Sequence, residues 1–135
     1  MQPAAPGLPE TPRAAATVVL LRDSTAGPEV LLLRRHAQAS NMAGVYVFPG
    51  GKLDPEDATL GPDTHLDQPH AALHERLNEP DTDPATAAGL YVAALREALE
   101  ECGLLLAEPL GGTSAVNATR ARAMLREGQP FAQVL

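Results

Sequence analysis

Arg96-Glu97-Ala98-Leu99-Glu100-Glu101-Cys102-Gly103-Leu104 is the stretch whose reading decides the fold. Its three glutamates are spaced i, i+3 and i+4, so on a helix they fall within an arc of roughly 100°. Tyr91, Leu95, Ala98, Leu99 and Cys102 gather on the opposite side, which predicts an amphipathic helix with its acids facing away from the core. Like charges at i,i+4 cost roughly 0.2–0.5 kcal/mol per pair on an isolated helix, so a cation is expected to offset them, and a hard divalent metal is the first candidate.

Outward from that stretch the helix gains its ends. Asp83 is placed to cap the N-terminus with Pro84 at the first helical position, and Gly103 to stop the chain after Cys102. Gly89 lies inside and is expected to weaken the early turns by roughly 0.5–1 kcal/mol relative to alanine. Upstream, 14–22 and 29–35 have strand character and are separated by the turn chemistry of Asp23-Ser24-Thr25-Ala26-Gly27-Pro28, predicting a hairpin. Gly44 precedes a third short strand, Val45-Tyr46-Val47-Phe48, which ends at Pro49 and gives way to the loop Gly50-Gly51-Lys52. Tyr46 and Phe48 are expected to face the core or pack a loop. Residues 53–83 differ from their surroundings, with prolines at 55, 62, 69 and 80, and predict an acidic loop with a short helix near His70–Leu77. Downstream, Leu104–Ala107 reads as a strand, Pro109–Thr113 as a turn and Ala118–Glu127 as a last helix, after which Phe131–Leu135 begins an element that is not completed.

Composition bounds the class. A chain of 135 residues, 44% of them hydrophobic, has material for one domain with a real core. Its net charge of −7 argues against nonspecific nucleic-acid binding and against attraction to an anionic membrane. Nine acidic residues and one basic residue, Arg76, lie between Asp54 and Asp83, so most of that charge is local. The single cysteine cannot close an internal disulfide, and no secretory or membrane-spanning run is seen, so a cytoplasmic protein is expected. Residues 1–13 read as a disordered leader and 14–135 as the domain. Of His65, His70 and His74, the last two have the i,i+4 spacing of a zinc pair, but no third ligand is evident.

Phe48-Pro49-Gly50-Gly51-Lys52, an acid six residues after Gly51 at Asp57, and Arg-Glu-x-x-Glu-Glu-x-Gly-Leu at 96–104 together resemble the Nudix box, the signature of hydrolases acting on nucleoside diphosphates linked to another moiety. Two departures narrow the resemblance. The acid at 57 is Asp where Glu is usual, and the two halves of the box are separated by an acidic insertion at about 58–83. A box interrupted in this way is similar to the Nudix subfamily that includes a peroxisomal coenzyme A diphosphatase of animals and many bacterial relatives. Leu31, Leu32, Arg35 and Gly44 match the added motif of neighbouring coenzyme A diphosphatases, whereas Ser40 stands where that motif has a second arginine.

The resemblance implies an α/β/α sandwich with a mixed sheet, of which this chain would hold the N-terminal portion. It implies Mg²⁺ or Mn²⁺ bound by Glu100 and Glu101, with Glu97 as a further ligand or a water-orienting acid and the Gly51 carbonyl completing the set. Arg96 is expected to orient the glutamates and Asp57 to pair with it, while Gly50 and Gly51 allow the backbone to come close. Arg34 and Arg35, at the end of a strand, either meet a substrate phosphate or bridge to the acidic insertion; with Lys52 they are the candidate substrate-binding cations. The expected activity is hydrolysis of a diphosphate, of coenzyme A or an acyl derivative first and of ADP-ribose or a dinucleotide next. The competing reading is a truncated or non-catalytic Nudix-like module that binds metal or nucleotide, with a homodimer as one way to complete the sheet.

Overall fold

The structure, a computed structural model, describes residues 11–40, 42–108 and 117–135. The expected leader at 1–13 therefore lies almost wholly outside the described residues, as does the turn expected at 109–113. Thr11–Arg13 are exposed and carry no regular structure.

The long helix begins as its caps dictate. The Asp83 side chain accepts a hydrogen bond from the Thr86 N–H at 3.0 Å, Pro84 occupies the first turn, and α2 runs Pro84–Glu97. An earlier helix, α1 (His70–Leu77), closes on Asn78 in the left-handed conformation and packs along α2. Ala87, Ala88, Val92 and Ala93 bury one side of α2. Gly89 is also buried, and a Cβ there would lie 3.0 Å from Ala58 Cα and from Leu53 Cδ1. Glycine at 89 therefore lets α2 come close to the 3₁₀ turn Pro55–Thr59, a reason that helix propensity alone does not reveal.

The helix does not continue to Cys102 in α form. Ala98–Cys102 make a single π-helical turn that ends at Gly103, φ +71°. The Gly103 N–H bonds back to both Ala98 O and Leu99 O, so the closing turn is wider than a regular α-turn.

Strand segments are shorter than the expected spans: β1 (Ala15–Thr17), β2 (Leu21–Arg22), β3 (Glu29–Val30), β4 (Leu33–Arg34), β5 (Tyr46–Val47) and β6 (Gly50–Lys52). The expected hairpin forms, pairing Leu21 with Val30 and Arg22 with Glu29. Among the described residues the expected mixed sheet consists of three antiparallel pairs, β1 with β6, β2 with β3 and β4 with β5. Leu104–Ala107, the segment that would enter the sheet after α2, joins no ladder; Leu104 and Leu106 remain exposed. Gly50–Lys52, expected as loop, is instead the strand that pairs with β1, in the register Ala16 to Gly51. A Cβ on Gly50 would strike Ala16 O and Thr17 Cα, so this pairing needs glycine.

The acidic insertion is not a free loop. Leu60 and Leu73 are buried, and Leu60 joins Val92, Leu99, Ala121, Phe131 and Val134 in the core cluster. Ala121 comes from α3 (Ala118–Arg126), and Phe131 and Val134 from α4 (Phe131–Val134), the short helix formed where the sequence showed only an unfinished element. The insertion's histidines are used structurally: the Nε2 atoms of His65, His70 and His74 each meet a backbone carbonyl, of Ala132, Leu60 and Glu79, at 3.0, 2.7 and 3.1 Å.

Candidate active site

Arg96, the last buried residue of α2, joins the two halves of the split motif. Its guanidinium reaches across 39 positions to Asp57 in a two-pronged pair, Nε to Oδ1 at 2.9 Å and Nη2 to Oδ2 at 3.0 Å. Nη2 also donates to the Lys52 carbonyl at 3.1 Å, and Nη1 to Glu97 and Glu100 at 3.1 and 3.3 Å. Asp54 approaches to 3.5 Å. The Arg96 and Asp57 side chains are 7% and 2% exposed, so this is a desolvated pair, where a fork-shaped guanidinium gains most over lysine. Burial alone would lower the Arg96 pKa; the hydrogen bonds and charge of Asp57, then the charges of Glu100 and Glu97, outweigh it and leave the group above its ordinary value. The 3₁₀ turn holds Asp57 in place, since Oδ2 accepts the Asp54 N–H at 2.9 Å.

The three glutamates have different surroundings. Glu97 lies against Gly51, where a Cβ would run into its carboxylate; β6 can cross the helix there because residue 51 has no side chain. Burial raises the Glu97 pKa, Arg96 opposes the rise, and Glu100 and Glu101 add to it. Glu100 is held by Arg96 and lines a cleft of about 200 Å³ with Asp54, Asp57 and Phe131. Glu101 is exposed, accepts the Gly50 N–H on Oε1 at 2.9 Å, and lines a larger cavity of about 600 Å³. That cavity is walled by Thr17, Arg34, Arg35, His36, Phe48, Gly50 and Gly51.

Gly50, Gly51, Asp57, Arg96, Glu97, Glu100 and Glu101 are thus brought together, and Arg34 and Arg35 open onto the adjoining cavity. Lys52 contributes its carbonyl to Arg96, while its side chain is exposed and outside the cavity wall. The first cation to offset the glutamates is Arg96 itself. Among the described residues no three acidic, histidine or cysteine side chains converge as metal ligands, because Arg96 draws Glu97 and Glu100 while Gly50 draws Glu101. The donor set still suits a hard cation. Asp54, Asp57, Glu97 and Glu100 share one guanidinium, which leaves excess negative charge on oxygen donors.

Tyr46 and Phe48 are not core residues; they are 64% and 41% exposed, and Phe48 forms part of the cavity wall. Thr17 and His36, also in the cavity wall, belong to no motif in the sequence. His36 directly follows Arg34 and Arg35, so extending that polar run by one residue would have included it.

No family model matches the chain. In the solved structures it is similar to a NUDIX hydrolase from Alicyclobacillus acidocaldarius, with a TM-score of 0.59 and 34% sequence identity over 90% of this chain. The chain spans about half of that protein, 51% of its length. The fold is therefore the Nudix α/β fold, and the likeness in sequence supports the Nudix family for this chain.

Proposed function

We propose that this chain is a metal-dependent pyrophosphohydrolase of the Nudix type, cleaving a nucleoside diphosphate linked to another moiety. The observation that carries the reading is the closure of the split motif on Arg96, which binds Asp57 and Lys52 O from one half and Glu97 and Glu100 from the other. Glu97, Glu100, Glu101 and the Gly51 carbonyl would hold Mg²⁺ or Mn²⁺. The ion, when bound, would neutralise phosphate oxygens and supply an activated water. Arg96 orients Glu97 and Glu100, and the Gly50 N–H fixes Glu101 beside the cavity. A cavity of about 600 Å³ is of the size that takes a nucleotide-sized ligand, and Arg34 and Arg35 in its wall suit a phosphate. Coenzyme A or an acyl derivative is the proposed substrate, supported by the sequence pattern at Leu31, Leu32, Arg35 and Gly44; ADP-ribose or a dinucleotide is the next candidate.

The test is incubation with Mg²⁺ or Mn²⁺ and each of these compounds, with products resolved by chromatography. Cleavage to two phosphate-terminated products is expected, with Glu100→Gln slower by about 100-fold or more. Absence of cleavage, or a Glu100→Gln variant as fast as the natural chain, defeats the enzymatic reading; tight nucleotide binding without cleavage would favour a binding module. A cytoplasmic setting belongs to the same proposal, and no helix among the described residues is long and apolar enough to cross a membrane. A homodimer is also proposed, on the exposed Leu21, Val30 and Tyr46 of short strand pairs, and a monomer in light scattering would reject it.

A further inference from the structure

Arg122 lies on α3, outside both halves of the split motif, yet it grips the turn that carries two of the glutamates. Its Nε donates to the Glu100 carbonyl at 2.9 Å and its Nη2 to the Glu101 carbonyl at 3.2 Å. These carbonyls belong to the last turn of a helix, where intrahelical N–H partners run out. Gly103 N–H serves Ala98 and Leu99, and the next two carbonyls go to Arg122. The guanidinium lies over Gly103, with Nη1 only 3.4 Å from where a Cβ would stand. Ala121, fully buried in the core cluster, seats α3 so that the following residue falls on this turn.

Each of the two acids is consequently fixed at both ends. The side chains of Glu100 and Glu101 are held by Arg96 and by the Gly50 N–H, and their peptide planes by Arg122. Rotation of either plane would swing the attached carboxylate away from its partner. We propose that Arg122 is a positioning residue for Glu100 and Glu101, setting the π-turn that aims them at the site. The proposal builds on the hydrolase reading, but its structural part can be judged without turnover.

The experiment compares the natural chain with Arg122→Ala, Arg122→Lys and Asn117→Ala. Asn117 caps α3 by accepting from the Thr119 and Arg120 N–H groups, so its loss loosens the same helix while leaving the guanidinium in place. Mn²⁺ affinity is read by titration, and the Gly50 amide, which donates to Glu101, by hydrogen exchange. Arg122→Ala is expected to weaken Mn²⁺ binding by about tenfold or more and to speed Gly50 exchange several-fold. Arg122→Lys, with one donor head in place of a fork, falls between; Asn117→Ala lowers the melting temperature and leaves both readouts near the natural values. The proposal is overturned if Arg122→Ala leaves Gly50 exchange unchanged, or if Asn117→Ala shifts both readouts as far. Should the natural chain cleave no diphosphate, the hydrolase reading fails while Gly50 exchange still decides the role of Arg122.

Discussion

Residues 58–83 and residues 96–101 are both rich in carboxylates, and the fold treats them in opposite ways. In the first region Asp63, Asp67, Glu75, Glu79, Asp81 and Asp83 are all exposed, and the segment is held by Leu60, Leu73 and histidine contacts to backbone carbonyls. In the second, Glu97 and Glu100 share a buried guanidinium with Asp57 and Asp54, and Glu101 is tied to Gly50. Charge density along the chain does not separate these regions. What separates them is a buried guanidinium shared by several acids, which ties them into a site.

The largest break in that contrast should come from Arg96. Arg96→Met leaves Asp57 buried without its partner and is expected to cost about 3–5 kcal/mol in denaturant unfolding. Adding Asp57→Leu should restore most of the loss, since the burden is the unpaired charge; a double variant as unstable as the single one would place the cost in packing instead. Gly89→Ala comes next. Alanine improves helix propensity, but the Cβ would press on Ala58 and Leu53, so a net loss of about 1 kcal/mol is expected where an open helix would gain.

Two acids should show opposite pH dependence in metal-free protein. The Glu97 pKa is raised, chiefly by burial, so the folded state binds its proton more tightly than the unfolded chain. Its ionisation therefore removes stability as pH rises from the ordinary carboxylate value through the raised one, and Glu97→Gln should be the more stable form at neutral pH, with the gap closing on acidification. The Asp83 pKa is lowered, first by the Thr86 side-chain hydrogen bond and then by the Thr86 backbone bond. Its contribution is present above the ordinary value and lost as pH falls through the lowered one, so the penalty of Asp83→Ala should shrink in acid. Parallel pH profiles for the two variants would erase the distinction between the regions. The smallest effect is expected from Glu75→Gln with Asp81→Asn, exposed acids whose neutralisation should leave the unfolding midpoint unchanged.

Much of the candidate site could be read from local spacing. Glu97, Glu100 and Glu101 follow from helical spacing, and Asp83, Pro84 and Gly103 set the limits of the helical stretch, because capping and periodicity act within a few residues; Arg96 and Asp57 follow only from the resemblance to the split Nudix box. The π-turn at Ala98–Cys102 was not readable in this way. Its closing carbonyls are taken by Arg122, some twenty residues onward, and nothing near Arg122 marks it as a partner of the glutamates. Phe48, expected to face the core or pack a loop, lies on the cavity wall, since an aromatic at a strand end carries no sign of which side will be covered.

The sequence by itself determined the helix limits, the first hairpin, the acidic character of the insertion and the placing of Glu97, Glu100 and Glu101 on one helical face. Tertiary structure alone decided that Gly50–Lys52 would be a strand against Ala15–Thr17, that the insertion would supply Leu60 to the core, and that Glu100 and Glu101 would line different clefts. The division has one physical cause. Caps and turns are settled by neighbours along the chain, whereas desolvation, close backbone approach and the sharing of one guanidinium exist only once distant segments are packed together.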